Sequence, residues 1–211
     1  MRKSSFENSL YNFHLNMNYD IDLLMKIETA KAVVKHKEDK RSIFEAFVLR
    51  ICANWEILVN DLLIDCLNHG TSRYSEFTGF NLPKNISRET CKAVIMGTGY
   101  TDFKSVGQLK QMSKQMLISE CNPFTTITAS NGRKIDEFFI LRNYLSHYSY
   151  AAERALSNMY HNTYKMIRFL EPGVFLLAKD RHEGIPRMGV YINHFKHVAN
   201  TMAKFLGISF K

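Results

Sequence analysis

Arg142, Asn143 and His147 lie close together in the run Phe138-Phe139-Ile140-Leu141-Arg142-Asn143-Tyr144-Leu145-Ser146-His147-Tyr148. An imidazole, with an unperturbed pKa of about 6.5, can accept or deliver a proton near neutrality. A guanidinium stays charged and offers planar donors to a phosphate that is gaining negative charge. An amide beside them can orient either group by hydrogen bonding. These types suit the cleavage of RNA through its own 2′-hydroxyl. That reaction needs one group to take the hydroxyl proton, one to protonate the leaving 5′-oxygen, and positive charge on the phosphorane between them. His147 suits the proton transfers and Arg142 the phosphate.

The helix that must carry these residues is expected from about 131 or 132 to 148. On one ideal helix, residues five apart differ by about 140° in direction. Arg and His normally keep to a wet face, yet here they interrupt an apolar run. The bland explanation is a buried structural pair with Glu45, Glu56 or Asp61 of an earlier helix. Ser146 and Tyr148 flank the motif as candidates to touch RNA, although a tyrosine at a helix end also packs. Glu56, beside Trp55, is a further candidate near the cleft, against the commoner reading of a helix-surface acid.

Stepping through the apolar spacing gives the scaffold. Phe6, Leu10, Phe13, Met17, Ile21, Leu24 and Ile27 recur in steps of three and four, predicting one amphipathic helix over about 4–34. A charged connection, 35–41, leads to a second long helix over 41–68 built on Phe44, Phe47, Val48, Ile51, Trp55, Leu58, Val59, Leu62 and Cys66. So short a join makes the two antiparallel. Turn signals at Gly79, Asn81-Leu82-Pro83, Gly97-Thr98-Gly99 and Asn122-Pro123 mark an insertion over about 71–131. Within it, helices are expected over 87–96 and 105–118, started by Ser87 with Glu89 and by Ser105 with Gln108. After the motif helix, Ala152, Leu156, Met159, Tyr160, Tyr164, Ile167 and Leu170 predict a helix over 150–170, stopped by Glu171-Pro172-Gly173. A short apolar run, 174–178, and a polar turn precede a last helix over 188–206. No alternating strand pattern persists, so the fold class is all-α. The expected architecture is an up-and-down bundle of four to five long helices, with a small helical insertion, in a single domain spanning 1–211.

Arg142 and His147, with four residues between them and Asn143 directly after the arginine, resemble the signature of the HEPN superfamily of all-α ribonuclease domains. Two other Arg-to-His spacings, Arg154 with His161 and Arg187 with His194, are followed by Ala155 and Met188 and lack the polar residue. The Trp-bearing helix around Ala53-Asn54-Trp55-Glu56 and the insertion before the motif helix resemble the subset with a long second helix. The likeness runs from about residue 40 to the C-terminus. It implies a homodimer in which two motif helices meet, and a metal-independent endoribonuclease that needs no cofactor. It implies a toxin or antiviral-defence role, RNA as substrate, and an antitoxin or defence-system protein as partner. Apolar residues of the motif helix would then serve both core and dimer seam. The competing expectation is a non-catalytic helical module that dimerises or binds a partner; a weaker one is nucleotide binding.

The chain of 211 residues carries a formal charge of +8, with 45% apolar and 23% charged residues, which suits a globular domain. Residues 1–83 carry 10 Lys/Arg against 11 Asp/Glu, whereas residues 133–211 carry 12 against 6. The basic excess therefore accompanies the motif and favours a polyanionic partner, or an acidic protein. Cys52, Cys66, Cys91 and Cys121 are widely spaced and read as buried thiols of a cytoplasmic protein. His194 and His197 have ligand-like spacing without an acid or cysteine to complete a metal site. No leader and no membrane-spanning stretch is expected. No Gly-rich phosphate loop, nucleophile elbow or paired-carboxylate motif is present.

Overall fold

In the computed structural model, which describes residues 3–29, 37–97, 103 and 105–209, every regular element is helical. In chain order these are α1 (Phe6–Thr29), α2 (Lys37–His69), α3 (Ser72–Thr78), α4 (Arg88–Met96), α5 (Val106–Met116), α6 (Ala129–His147), α7 (Tyr150–Tyr164), α8 (Pro172–Leu177) and α9 (Arg187–Phe205). Two 3-10 turns, Ser119–Cys121 and Pro123–Thr126, precede α6. The only β contact among the described residues is an isolated bridge between Lys179 and Pro186. No described helix is long and apolar enough to cross a membrane. The expected helical stretch 30–34, Lys35 and His36 of the charged connection, and Thr98-Gly99 lie outside the described residues.

The all-α expectation holds, and so do both serine starts. Ser87 Oγ accepts the Thr90 N–H at 3.0 Å and Ser105 Oγ the Gln108 N–H at 3.2 Å. Each such cap contributes about 1 kcal/mol. Three local expectations are corrected. The segment 72–78 is helical, ending at Gly79 with φ +74°. The apolar run after Pro172 is α8, opened by that proline at its first position, where the missing N–H costs nothing. The helix expected over 150–170 stops at Tyr164, because Lys165 turns left-handed at φ +54° and its N–H bonds back to His161 O at 3.2 Å. Ile167, expected on the buried stripe, is 96% exposed as a result.

The chain forms two compact units, whose division cuts through α1, α2, α6 and α9. The first comprises Met1–His14, Trp55–Arg133 and His197–Lys211 and holds all of the expected insertion. In it, α1 runs antiparallel to α2: the Ser4 N–H donates to Asn68 Oδ1 at 2.7 Å, and Phe13 meets Trp55 edge-on at 6.1 Å. Arg88 ties α4 to α2, donating from Nη2 to Asp61 Oδ1 at 2.7 Å and from Nε to the buried Asp65 Oδ1 at 2.8 Å. Packing of α3 on α5, and of α5 on the second 3-10 turn, completes this unit.

The second unit comprises Leu15–Asn54 and Lys134–Lys196. Here α1 and α2 are again antiparallel, through an ion pair of Arg50 with the fully buried Asp20 and a 3.3 Å bond from Asn54 Nδ2. Burial raises the Asp20 carboxyl above its ordinary value, against the pull of Arg50. Phe138 of α6 packs on Tyr191 and Phe195 of α9, with ring centres 5.1 and 5.4 Å away. Gly173 of α8 sits against the backbone of Arg41 on α2, where a Cβ would meet Arg41 O and Cβ at 2.8 Å, and its N–H donates to Glu45 Oε1 at 2.9 Å. Backbone cannot swing aside, so Gly173→Ala should destabilise by about 1–3 kcal/mol, lowering Tm by roughly 2–10 °C. Gly189→Ala on α9, whose Cβ would meet only Ile185 Cδ1 at 3.4 Å, should be neutral or slightly stabilising in the same thermal melt.

Candidate functional site

The motif helix α6 is anchored about one and a half turns before the motif. Glu137 stands one residue before Phe138 and four before Leu141, both fully buried, and is itself 3% exposed. Its Oε2 accepts from Lys134 Nζ at 2.8 Å, from the Tyr164 hydroxyl at 2.9 Å and from the Tyr191 hydroxyl at 3.0 Å. The two tyrosine oxygens are 2.7 Å apart. One carboxylate therefore gathers α6, α7 and α9. Arg187 adds to the assembly from the start of α9, stacking over the Phe175 and Tyr164 rings and donating to Phe175 O at 3.1 Å.

Beyond Leu141 the helix leaves the core. Arg142 is half-buried, and Asn143, Ser146 and His147 are exposed. Arg142 Nη1 donates to Asn143 Oδ1 at 3.1 Å. Asn143 and His147 are four apart and share a face, as do Arg142 and Ser146. The amide that holds the guanidinium therefore sits one helical turn before the imidazole. Asn143 and His147 are not core anchors. Of the acids considered as structural partners of Arg142 and His147, Asp61 pairs with Arg88 and Glu45 receives the Gly173 N–H. Glu56 belongs to the first unit, where it is half-buried.

The helix ends where the candidate chemistry would take place. Tyr148 adopts φ +45°, a left-handed conformation that a bulky side chain rarely takes, and its N–H donates to Tyr144 O at 2.9 Å. The turn lays Tyr148 edge-on against Tyr144 at 5.4 Å, and Tyr144 in turn meets Phe169 at 5.5 Å. Ser149 then caps α7, accepting the Ala152 N–H at 3.2 Å. Tyr148 and Tyr150 are 68% and 81% exposed. The Tyr144 hydroxyl is raised above its ordinary pKa by burial and by the carboxylates of Glu171, Glu153 and Glu45. Acidic groups therefore gather around Tyr144.

What sequence reasoning missed is the Lys134–Glu137–Tyr164–Tyr191 cluster. Its one visible signal was an acid on the apolar stripe of α6, three residues from a lysine. Among the described residues no group of three or more His, Cys, Asp or Glu is gathered to hold a metal ion. His194 is half-buried in the second unit and His197 exposed in the first. Comparison with family models, curated proteins and solved structures gives no match for this chain.

The cluster makes stability depend on pH. Burial alone would lower the Lys134 pKa, but hydrogen bonds to Glu137 and Tyr164 outweigh it and raise it above 10.5. Burial raises both Tyr164 and Tyr191 above 10.0. Groups held protonated in the folded state stabilise it fully below their ordinary values, and that stability is lost as pH rises through the folded values. Tm should therefore fall as pH is raised above 10.0, and Tyr191→Phe should flatten that fall in thermal melts followed by circular dichroism.

Proposed function

We propose that this protein is a metal-independent endoribonuclease of HEPN type, acting as a homodimer in a toxin or antiviral-defence role. The observation that carries the reading is the placement of the motif: Arg142 bonded to Asn143, and Asn143 sharing an exposed face with His147 at the free end of α6. A group that must reach a phosphodiester has to be at the surface, and one that must stay oriented has to be tethered. His147 meets the first need and Arg142 the second. His147 would move protons to and from the 2′- and 5′-oxygens, Arg142 would stabilise the phosphorane, and Asn143 would hold Arg142 in line. Ser146 and Tyr148, both exposed on the same corner, would contact the RNA, Tyr148 by stacking on an unpaired base. Half-buried Phe139, Ile140 and Leu145 supply apolar surface for a seam with a second copy. The basic balance of residues 133–211 suits a polyanion. An active nuclease of this kind requires restraint, which an antitoxin or another defence-system protein would provide.

One observation favours a different class. Glu45, Glu153 and Glu171 act on Tyr144 at the same corner, and an aromatic surface of mixed charge also suits a protein partner. Under that reading the module is non-catalytic, and the exposed aromatics are its contact surface.

RNA incubated with the purified protein in excess chelator separates the two. Cleavage leaving a cyclic or 3′-phosphate is expected, slowed by about 10²–10⁴-fold in His147→Ala and by about 10²–10³-fold in Arg142→Ala. Because His147 is exposed, its substitution should change stability by no more than about 0.5 kcal/mol. Equal cleavage by both variants and the parent would overturn the assignment. No cleavage by any preparation, with partner binding lost in the variants, would support the non-catalytic module.

A further inference from the structure

Three rings lead outward from the motif. Tyr148 meets Tyr144 at 5.4 Å and Tyr144 meets Phe169 at 5.5 Å, each edge-on. Phe169 lies in the turn between α7 and α8, within the same second unit. Backbone bonds set the start of that turn. Lys165 ends α7 in the left-handed region at φ +54°, its N–H bonding to His161 O at 3.2 Å and the Met166 N–H to Tyr160 O at 3.1 Å. The chain leaves this cap with Ile167 96% and Phe169 36% exposed, although Phe169 also touches the buried Tyr160 ring at 5.9 Å. Arg168, between them, is exposed as well.

A lone open isoleucine is ordinary, but Ile167 and Phe169 extend the aromatic surface of Tyr144 and Tyr148. Rings beside cations fit a single-stranded nucleic acid. An unpaired base stacks on a ring whatever its identity, and the phosphates that join the bases need charge within reach. In a duplex the bases stack on each other and offer side chains no face. Arg142 precedes Tyr144 by two residues and Arg168 precedes Phe169 by one, so α6 and the turn each bring a guanidinium to the rings. The carboxylates of Glu45, Glu153 and Glu171 act on Tyr144 between them. They disfavour a phosphate over that ring and suit a base there, because a carboxylate accepts from an exocyclic amine.

We propose that the turn carrying Ile167, Arg168 and Phe169 is a binding surface for unpaired RNA, continuing the strand away from the motif. Phe169 and Ile167 take bases and Arg168 takes a phosphate. The inference rests on the nuclease reading for the direction of the strand, which reaches the turn from a bond held at Arg142 and His147. It names the substrate class: RNA that is single-stranded at the cleavage position and over the nucleotides beside it. The left-handed cap holds the start of the turn in place beforehand, so little ordering is required when a strand binds.

The test uses a short fluorescein-labelled RNA whose 2′-hydroxyls are all methylated. Such a strand cannot be cut through them, so fluorescence anisotropy reads its binding to the full chain whether or not the protein is a nuclease. The parent protein should bind the strand roughly tenfold or more tighter than the same strand annealed to its complement. Arg168→Ala should weaken binding and lower the slope of log affinity against log salt by about 0.7, the loss of one phosphate contact. Phe169→Ala should weaken binding about 5- to 150-fold; if that variant fails to fold, Arg168→Ala, altered at an exposed residue, still decides. Equal binding of duplex and single strand, or a salt slope unchanged in Arg168→Ala, would overturn the proposal. Absence of RNA binding by the parent would overturn it too and leave the surface to a protein partner. The two readings fail separately. Strand binding that Arg168→Ala weakens, in a protein that cuts no RNA, keeps the surface and removes the nuclease; RNA cutting with KM unchanged in both variants does the reverse.

Discussion

A carboxylate can stay inside a protein only where its charge is met, and the second unit gathers three donors on the Oε2 oxygen of Glu137. Lys134 supplies charge from one turn earlier on α6, while Tyr164 and Tyr191 bring hydroxyls from α7 and α9. Removing a partner from such a cluster is costly, on the order of 3–5 kcal/mol, because it leaves a buried charge unmatched. The cluster therefore fixes how α6 is rotated in its own unit. Rotation is what the motif depends on. With Glu137, Phe138 and Leu141 turned inward, Asn143 and His147 must turn out.

This resolves the apparent conflict of polar residues in an apolar helix. Arg142, Asn143 and His147 do not interrupt the buried part of α6; they follow it, on the turns that emerge after Leu141. The apolar residues among them, Leu145 and Tyr144, are half-buried, and Tyr148 is open to solvent. A strained left-handed Tyr148 then breaks the helix directly after His147 and directs the chain into α7. Such strain persists where the surroundings over-determine it, as the Tyr144 and Phe169 rings do here.

Much of the scaffold was legible because it rests on short-range rules. Steps of three and four located the long helices, and Ser87 and Ser105 marked the starts of α4 and α5, because a serine hydroxyl satisfies a helix N–H that has no partner within the helix. The end of α7 was not legible. Its left-handed residue is Lys165 and not a glycine, so no local signal separates Ile167 from the buried stripe that precedes it. The Glu137 cluster was hidden for another reason: its members come from three helices, and only the fold brings Tyr164 and Tyr191 to one oxygen. The candidate site falls between these cases. Its residues were readable in the sequence, but their exposure and the Arg142–Asn143 bond were not, since both depend on which way α6 is turned.

The central claim is that RNA is cut by its own 2′-hydroxyl at the exposed end of α6. The most direct measurement places a single 2′-deoxy nucleotide at the mapped cleavage position of an otherwise unmodified RNA and follows scission there in excess chelator. The account predicts that cutting at that bond disappears while cutting elsewhere continues. Unchanged cutting at the deoxy position would contradict it, since the nucleophile would then be something other than the RNA.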